Sequence, residues 1–189
     1  MTKMLRLMRQ AASGRYQPQG DLADADCVLG QAFGFRDLKL LSPTPGPSNL
    51  DMAYEIFIRA PRSIELYLQA ELVGSVLDLG FPTDLVHQFG SIGDRITTHE
   101  ILRQELQAVV EDGHQRAALW ATAHHIPRCQ AIAERLIKDC NYNLELIVPP
   151  GLPAGFDRWS AQWWTRGRCR WALKEVGLVI PHHLAKGLM

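Results

Sequence analysis

The chain has 189 residues, of which 47% are hydrophobic, a composition that corresponds to one globular domain and excludes wholesale disorder. Twenty basic residues balance twenty acidic ones, which argues against a dedicated nucleic-acid binder and against polybasic docking to a membrane. No apolar run is long enough to cross a bilayer, so no membrane span is expected.

Glycines and prolines, which interrupt helices and strands, divide the chain into three predicted parts. Residues 1–20 are expected to form a loosely attached N-terminal arm, because a proline and two glycines within them disfavour long regular structure. A single α/β domain is predicted over 21–180, and a C-terminal tail over 181–189. Arg6 and Arg9 interrupt any signal-peptide core and no C-x-x-C pair occurs, so a cytoplasmic protein with reduced cysteines is expected.

Strands and helices are predicted to alternate through the domain. Short apolar runs predict strands over 25–29, 63–68, 85–89, 117–121 and 144–148. Helices are predicted over 50–60, 70–79, 97–112, 127–140 and 157–175. The strands are continuous apolar runs, which is typical of strands covered on both faces. The expected fold class is therefore α/β, a three-layer, Rossmann-like and mostly parallel sheet with helices on both faces.

Local signals mark where several helices begin. Three prolines between residues 43 and 47 argue against a helix there, and Asn49 is the predicted cap of the helix that follows. Thr97 and Glu100 have the spacing of a capping box. Pro127 lies where a proline favours the first turn of a helix.

Residues 122–128 carry the richest chemistry at the edge where parallel sheets bind ligands, the carboxyl ends of the strands. Within seven residues they contain the Thr122 hydroxyl, the imidazoles of His124 and His125, and the Arg128 guanidinium. The amino terminus of the following helix favours an anion, which Arg128 can bind through two hydrogen bonds. A histidine here can act as a general acid or base, or it can simply cap the helix or pack.

Two carboxylates are predicted to reach the same edge. Glu71 or Glu100 could orient the His125 imidazole, although Glu100 can equally be only the capping-box residue. No metal site is expected, because neither pair of adjacent histidines has the spacing of zinc ligands. The chain also contains no dinucleotide fingerprint, P-loop or nucleophile elbow.

Three motifs in order resemble a known family over about residues 24–148. The first motif is a strand with Asp24, Ala25 and Leu29-Gly30. The second is the segment Thr98-His99-Glu100. The third is a threonine, a histidine and an arginine that follow a strand, here Thr122, His125 and Arg128. Together they are similar to the YdcF-like (ElyC/SanA-type) family of uncharacterised bacterial domains. The resemblance implies a Rossmann-like domain in which these motifs gather at one site.

The chain departs from the family pattern at three places. Gly30-Gln31-Ala32 replaces a glycine run, Ile101 replaces the asparagine after the motif glutamate, and Gln69-Ala70-Glu71 replaces Ser-Gly-Gly. A different ligand is therefore expected in the pocket. The resemblance further implies a role in envelope metabolism and an adenosyl-type ligand such as S-adenosylmethionine.

The expected function is the binding of a small anionic ligand, bearing a phosphate or a nucleotide, with catalysis left open. His125 is the predicted acid/base and Glu100 its partner. The predicted ligand-binding residues are Gly30, Gln31, Glu71, Thr98, Thr122, His124 and Arg128. We expect His125→Ala and Arg128→Ala to abolish ligand binding without a large loss of stability.

A non-catalytic interaction protein is the alternative. The predicted helix over 157–175 carries four tryptophans, and residues 158–174 contain five basic and no acidic side chains. Such a helix, together with the proline-rich loop around Ser42 to Ser48, could dock a protein partner. Alternatively, its tryptophans could pack on the sheet while the arginines remain solvated.

Overall fold

The computed structural model describes residues 3–36, 44–91 and 97–188. Its centre is a five-stranded, all-parallel sheet of β1 (Cys27–Gly30), β4 (Glu65–Gln69), β5 (Val86–Phe89), β6 (Arg116–Trp120) and β7 (Glu145–Ile147). The order across the sheet is β5-β4-β1-β6-β7. Two further strands, β2 (Phe35–Arg36) and β3 (Thr44–Pro45), form a separate antiparallel pair.

Helices cover the sheet on both faces. They are α1 (Lys3–Ser13), α2 (Pro47–Arg59), α3 (Ala70–Asp78), α4 (Thr98–Glu111), α5 (Ile126–Asp139), α6 (Arg168–Lys174) and α7 (Ile180–Ala185). α2 packs with α3, and α4 packs with α5, so the predicted three-layer, Rossmann-like α/β fold is confirmed. Within the described ranges, no helix has the length and hydrophobicity that crossing a membrane requires.

The chain reverses its direction of travel across the sheet at β1. The strand that follows in the sheet, β4, pairs on one side of β1, whereas β6 pairs on the other. All four residues of β1 are buried. A Cβ atom added at Gly30 would lie 2.4 Å from a Leu68 methyl carbon, so glycine at this strand end allows β1 and β4 to pack closely.

The N-terminal arm differs from its prediction. Residues 3–13 form α1, and Leu7 and Ala11 are buried in the hydrophobic core. The helix packs against α5, α6 and α7. The expectation of a loose arm is wrong because Gly14, Pro18 and the second glycine lie beyond the end of the helix and therefore do not interrupt it.

The start of α2 also differs from its prediction. The helix begins at Pro47, with Gly46 as its cap, because a proline is well tolerated in the first helical turn. Asn49 is therefore inside the helix instead of capping it. Its side chain accepts a hydrogen bond from the Phe33 backbone N–H (2.7 Å) and donates one to the Gly34 carbonyl (2.7 Å). Asn49 thus fastens the loop that follows β1 to α2.

The C-terminal region is not one helix followed by a tail. A 3-10 turn (Trp163–Arg166) precedes α6, and a π-helical turn (Glu175–Val179) joins α6 to α7. Gly167, in an extended conformation between the 3-10 turn and α6, interrupts the helix that was predicted over 157–175. The predicted tail begins inside α7, whose Ile180 is fully buried.

Candidate functional site

A cavity of about 270 Å³ lies at the carboxyl edge of the sheet. Its floor is formed by the loop after β1 and by the starts of α3, α4 and α5, and its roof by the C-terminal segment 162–183. This is the edge, and the reversal of strand order, at which open α/β sheets bind ligands. The cavity therefore occupies the position predicted from the strand pattern.

Hydrogen bonds beside the cavity connect the C-terminal segment that forms the roof to the loop after β1 that forms part of the floor. The Ser160 hydroxyl and the Ala161 N–H both donate to the Phe35 carbonyl, at 3.1 and 2.8 Å. Gly34 has φ 75°, and a Cβ added there would lie 2.7 Å from the Thr165 hydroxyl. Glycine at this position allows the C-terminal segment to approach the loop after β1 closely.

Arg128 connects the floor to the roof. One guanidinium nitrogen, Nη1, donates to a Glu175 carboxylate oxygen at 2.6 Å. The other, Nη2, donates to His125 Nε2 at 2.7 Å and lies 3.4 Å from the Thr98 hydroxyl. Burial raises the pKa of Glu175, an effect that Arg128 and Lys174 oppose. The Glu175 side chain is fully buried, so this ion pair is shielded from solvent.

His125 is a neutral hydrogen-bonding group in this arrangement. Burial lowers the pKa of His125 well below its usual value, and the positive charges of Arg128 and Lys174 lower it further. Since Nε2 accepts from Arg128, the proton of the neutral ring is on Nδ1, which has no hydrogen-bond partner among the described residues. The arrangement thus favours His125 as a donor and disfavours proton exchange by its imidazolium near neutral pH.

Lys174, at the end of α6, brings a second cation to the cavity. Its Nζ lies 3.0 Å from the centre of the Trp164 ring. Burial, with a contribution from Arg128, lowers the pKa of Lys174 to about 8, so it is still mostly protonated at neutral pH. Within the described ranges, no carboxylate lies at ion-pairing distance from this ammonium group.

Aromatic rings form the apolar wall of the cavity. Phe33 and Trp171 meet edge to face with their ring centres 4.7 Å apart, and His125 lies 5.6 Å from Trp171. His183 also lines the cavity, and burial lowers its pKa to about 4. His183 is therefore neutral at pH 7, and its contribution is a polar ring rather than a charge.

Four of the residues predicted from the sequence line the cavity: Glu71, Thr98, His125 and Arg128. Each follows the carboxyl end of a strand, as predicted. Glu71 is in the first turn of α3, directly after β4, and Thr98 is the first residue of α4. The structure thus brings together side chains from three different strand–helix connections.

His124 and Gln31 are placed elsewhere. His124 Nδ1 lies 2.9 Å from the Ala11 carbonyl, and its ring contacts Phe156, so it attaches α1 to the domain. Gln31 is fully buried and donates from its amide to the Glu105 carboxyl group. Burial raises the pKa of Glu105 well above its usual value. Neither His124 nor Gln31 lines the cavity, so we no longer assign them to ligand binding.

Glu100, Thr122 and Gly30 are not among the cavity-lining residues either. Glu100 is exposed in the first turn of α4, where its backbone N–H donates to the Thr97 hydroxyl at 3.2 Å. The position of Glu100 therefore fits a residue of the helix cap better than a partner of His125. Thr122 is buried, and its carbonyl accepts the backbone N–H groups of His125 and Ile126, whereas Gly30 serves strand packing.

Sequence reasoning missed the contribution of the C-terminal segment. Trp171, Lys174, Glu175 and His183 reach the site from residues that follow the last strand of the sheet. The five basic residues and four tryptophans of this region were a signal of unusual composition, but they gave no indication that Lys174 turns inward. No rule about strand ends applies to these residues.

Groups of both charge signs border the cavity: Arg128 and Lys174 are cations, and Glu71 is a carboxylate. Within the described ranges, no three His, Cys, Asp or Glu side chains converge as metal ligands do. The side chains of Arg128 and Lys174 supply positive charge, and His125 supplies a donor. Comparison with protein-family models, with curated proteins and with solved structures finds no match for this chain.

Proposed function

We propose that this protein binds a small, phosphate-bearing anion in the cavity. The observation that carries the proposal is the half-buried ammonium group of Lys174, which borders the cavity beside Arg128 without an ion-pair partner. Of the two cations, only Arg128 is paired with a carboxylate, that of Glu175. Because a partly desolvated charge is stabilised by a counter-ion, an anion in the cavity would be bound favourably.

Donors at the site match the oxygen atoms of a phosphate group. Lys174 offers its ammonium hydrogens. His125 carries a buried Nδ1–H without a partner in the described part of the chain, which a ligand could reach only after a local movement of the cavity wall. The Arg128 Nε–H is likewise buried and unpartnered there. Phosphate oxygens are strong acceptors for such groups. His125 in this role holds the ligand and is not the carrier of a proton.

The size and charge of the cavity favour a compact ligand. Its volume of about 270 Å³ lies just below the roughly 300–1,000 Å³ of pockets that enclose drug-sized ligands. A phosphomonoester of a small sugar or acid fits this size better than a dinucleotide does. The sulfonium cation of S-adenosylmethionine would meet Arg128 and Lys174, so an adenosyl-type ligand is the less favoured form of the proposal.

A cytoplasmic location is part of the proposal. All four cysteines are unpaired, and two of them, Cys27 and Cys129, are buried within the core. Burial raises the pKa values of both thiols, so they remain protonated and unreactive. Unpaired cysteines of this kind are typical of proteins that fold in a reducing compartment.

The test is a thermal-shift and calorimetric titration with inorganic phosphate, sugar phosphates, nucleotides and S-adenosylmethionine. A ligand that binds only the folded state raises the unfolding midpoint. We expect at least one phosphate compound to stabilise the wild type, and Lys174→Met to weaken its binding by about tenfold. Lys138→Met, which removes an exposed lysine from α5, is the matched control. Stabilisation by none of the phosphate compounds, or equal binding by Lys174→Met, would refute the proposal.

A further inference from the structure

The net charge of zero conceals a strong separation of charge along the chain. Residues 1–20 and 158–189 together contain ten basic residues and a single acidic one, Glu175. Residues 21–157 contain ten basic and nineteen acidic residues. Because Glu175 is buried and bound to Arg128, the two terminal segments expose only basic charge.

Folding brings the two basic segments together. α1 packs against α6, the π-helical turn and α7. The contact includes a hydrogen bond from Arg168 Nε to the Ala12 carbonyl at 2.9 Å. Positive charges that are far apart in the sequence therefore lie on one side of the molecule. We call the exposed side chains of residues 4–15 and 166–178 the terminal surface.

The terminal surface contains both arginines and large apolar side chains. Its exposed arginines are Arg6, Arg9, Arg15, Arg166, Arg168 and Arg170. Its most exposed apolar side chains are Leu5 (52% exposed), Leu173 (68%) and Leu178 (67%). Aliphatic side chains this exposed, within a basic surface, are typical of a site that binds another surface.

We propose that the terminal surface docks the protein onto a membrane that contains anionic phospholipid. The arginines would contact the lipid phosphates, and the leucines would enter the boundary between headgroups and acyl chains. Two exposed tryptophans in the segment that precedes the second part of the terminal surface, Trp159 and Trp163, have the side chain preferred at that boundary. A nucleic acid fits less well, because leucines do not stack on bases.

The proposal reverses an expectation that was drawn from composition. Zero net charge argued against polybasic docking, but attraction to a membrane depends on charge within about a Debye length of the surface. α6 then has two roles. Trp171 and Lys174 face the cavity, whereas Arg170 and Leu173 are exposed on the terminal surface. The docked protein would hold its cavity beside the bilayer.

Two exposed cysteines provide a direct test on the intact chain. Cys169 lies on the terminal surface, whereas Cys140 lies at the end of α5 in the acidic part of the chain. Each is labelled with a polarity-sensitive dye while the other is replaced by serine. Vesicles of phosphatidylcholine mixed with phosphatidylglycerol should shift the emission of the Cys169 label to the blue and leave the Cys140 label unchanged. Vesicles of pure phosphatidylcholine should shift neither label.

Variants separate the electrostatic and apolar parts of docking. Arg170→Glu should reduce vesicle binding at low salt by about 25-fold, since it changes the charge by two units and each unit near an anionic bilayer is worth roughly fivefold. Leu173→Ser should reduce it by about tenfold. Arg103→Glu on α4 and Ile58→Ser on α2 make the same changes at exposed positions elsewhere and should leave binding unchanged.

Three results would overturn the proposal. The first is the absence of binding to the anionic vesicles, and the second is equal binding to neutral and anionic vesicles. The third is a shift of the Cys169 label by a single-stranded oligonucleotide but not by the anionic vesicles, which would identify a nucleic acid as the partner.

Discussion

The carboxyl and amino ends of the strands each carry a cluster of histidine, acidic and hydroxyl side chains. We call Glu65, Tyr67, His87, Asp112 and His114 the amino-edge cluster. The Tyr67 hydroxyl lies 2.8 Å from a Glu65 oxygen and 2.7 Å from an Asp112 oxygen. Both histidines approach the same Glu65 oxygen, at 3.2 and 3.3 Å. The hydrogen bond from Tyr67 lowers the pKa of Glu65.

The two clusters differ in whether their buried polar atoms have hydrogen-bond partners. None of the amino-edge side chains has a buried polar atom without a partner, and Tyr67 stacks on His87 at 4.6 Å. At the cavity, His125 Nδ1 and Arg128 Nε are buried without partners in the described part of the chain. Buried groups left unsatisfied in this way are costly to folding. The cavity cluster therefore contains buried donors without partners, whereas the amino-edge cluster is saturated with internal hydrogen bonds.

Arg128→Met should have the largest effect, because it leaves the buried Glu175 carboxylate without its partner. Loss of one member of a buried ion pair is expected to reduce the free energy of unfolding by about 3–5 kcal/mol. Urea denaturation measures this loss. The structure thus revises the expectation that changes at Arg128 would affect binding alone.

The double variant Arg128→Met/Glu175→Gln separates this cost from other effects of the substitution. Removing both charges should recover most of the lost stability, since no uncompensated charge remains. Ligand binding should remain lost in the double variant. If the single variant were as stable as the wild type, the Arg128–Glu175 pair would not be a buried ion pair in solution.

Tyr67→Phe tests the amino-edge cluster. Without the hydroxyl, Glu65 and Asp112 lose a donor, and the free energy of unfolding should fall by about 1–2 kcal/mol. Ligand binding should be unaffected. Tyr54→Phe, at an exposed position on α2, is the control and should change stability by less than about 0.5 kcal/mol. A change in ligand affinity on Tyr67→Phe would show that the two clusters are coupled.

The pH dependence of ligand binding should follow Lys174. Because its pKa is lowered to about 8, the ammonium charge is present below pH 8 and is lost as the pH rises through that value. Affinity for a phosphomonoester should therefore be highest between about pH 6, above which the ligand is a dianion, and pH 8, and should fall by up to about tenfold per pH unit above pH 8. Titration calorimetry in Lys174→Met should show no such fall.

Glu100→Gln should have the smallest effect. The exposed carboxylate lies in the first turn of α4, where loss of its charge is expected to cost about 0.5 kcal/mol or less. Ligand affinity should be the same as in the wild type. A large loss of affinity would restore Glu100 to the site from which the structure separates it.

Much of the fold could be predicted because its signals are local. The Thr97 cap of α4, the proline in the first turn of α5 and the apolar runs of the central strands are each encoded within a few residues. α1 also carried a local signal, with Leu7 and Ala11 four residues apart on its buried face. Gly14 and Pro18 lie beyond the end of the helix, so they carry no information against it.

The site could be predicted only in part, for a topological reason. Strand ends gather at one edge of a parallel sheet, so Glu71, His125 and Arg128 could be grouped before the structure was known. The C-terminal segment obeys no comparable rule. Lys174 reaches the cavity, and Glu175 reaches Arg128, from a segment shaped by Gly167, the preceding 3-10 turn and the contacts with Phe35. None of these features has a recognisable sequence pattern.

Glu175 has a consequence for the selectivity of the cavity. Its carboxylate lies on the π-helical turn and occupies one side of the Arg128 guanidinium, so the resting site already holds an anion supplied by the chain itself. An incoming monoanion would neutralise Lys174 alone, because Glu175 already neutralises Arg128. A dianion such as a phosphomonoester would offer a net excess of negative charge to Arg128 and Lys174 together. The carboxylate of the chain itself would thus favour dianions over simple carboxylic acids by charge rather than by shape.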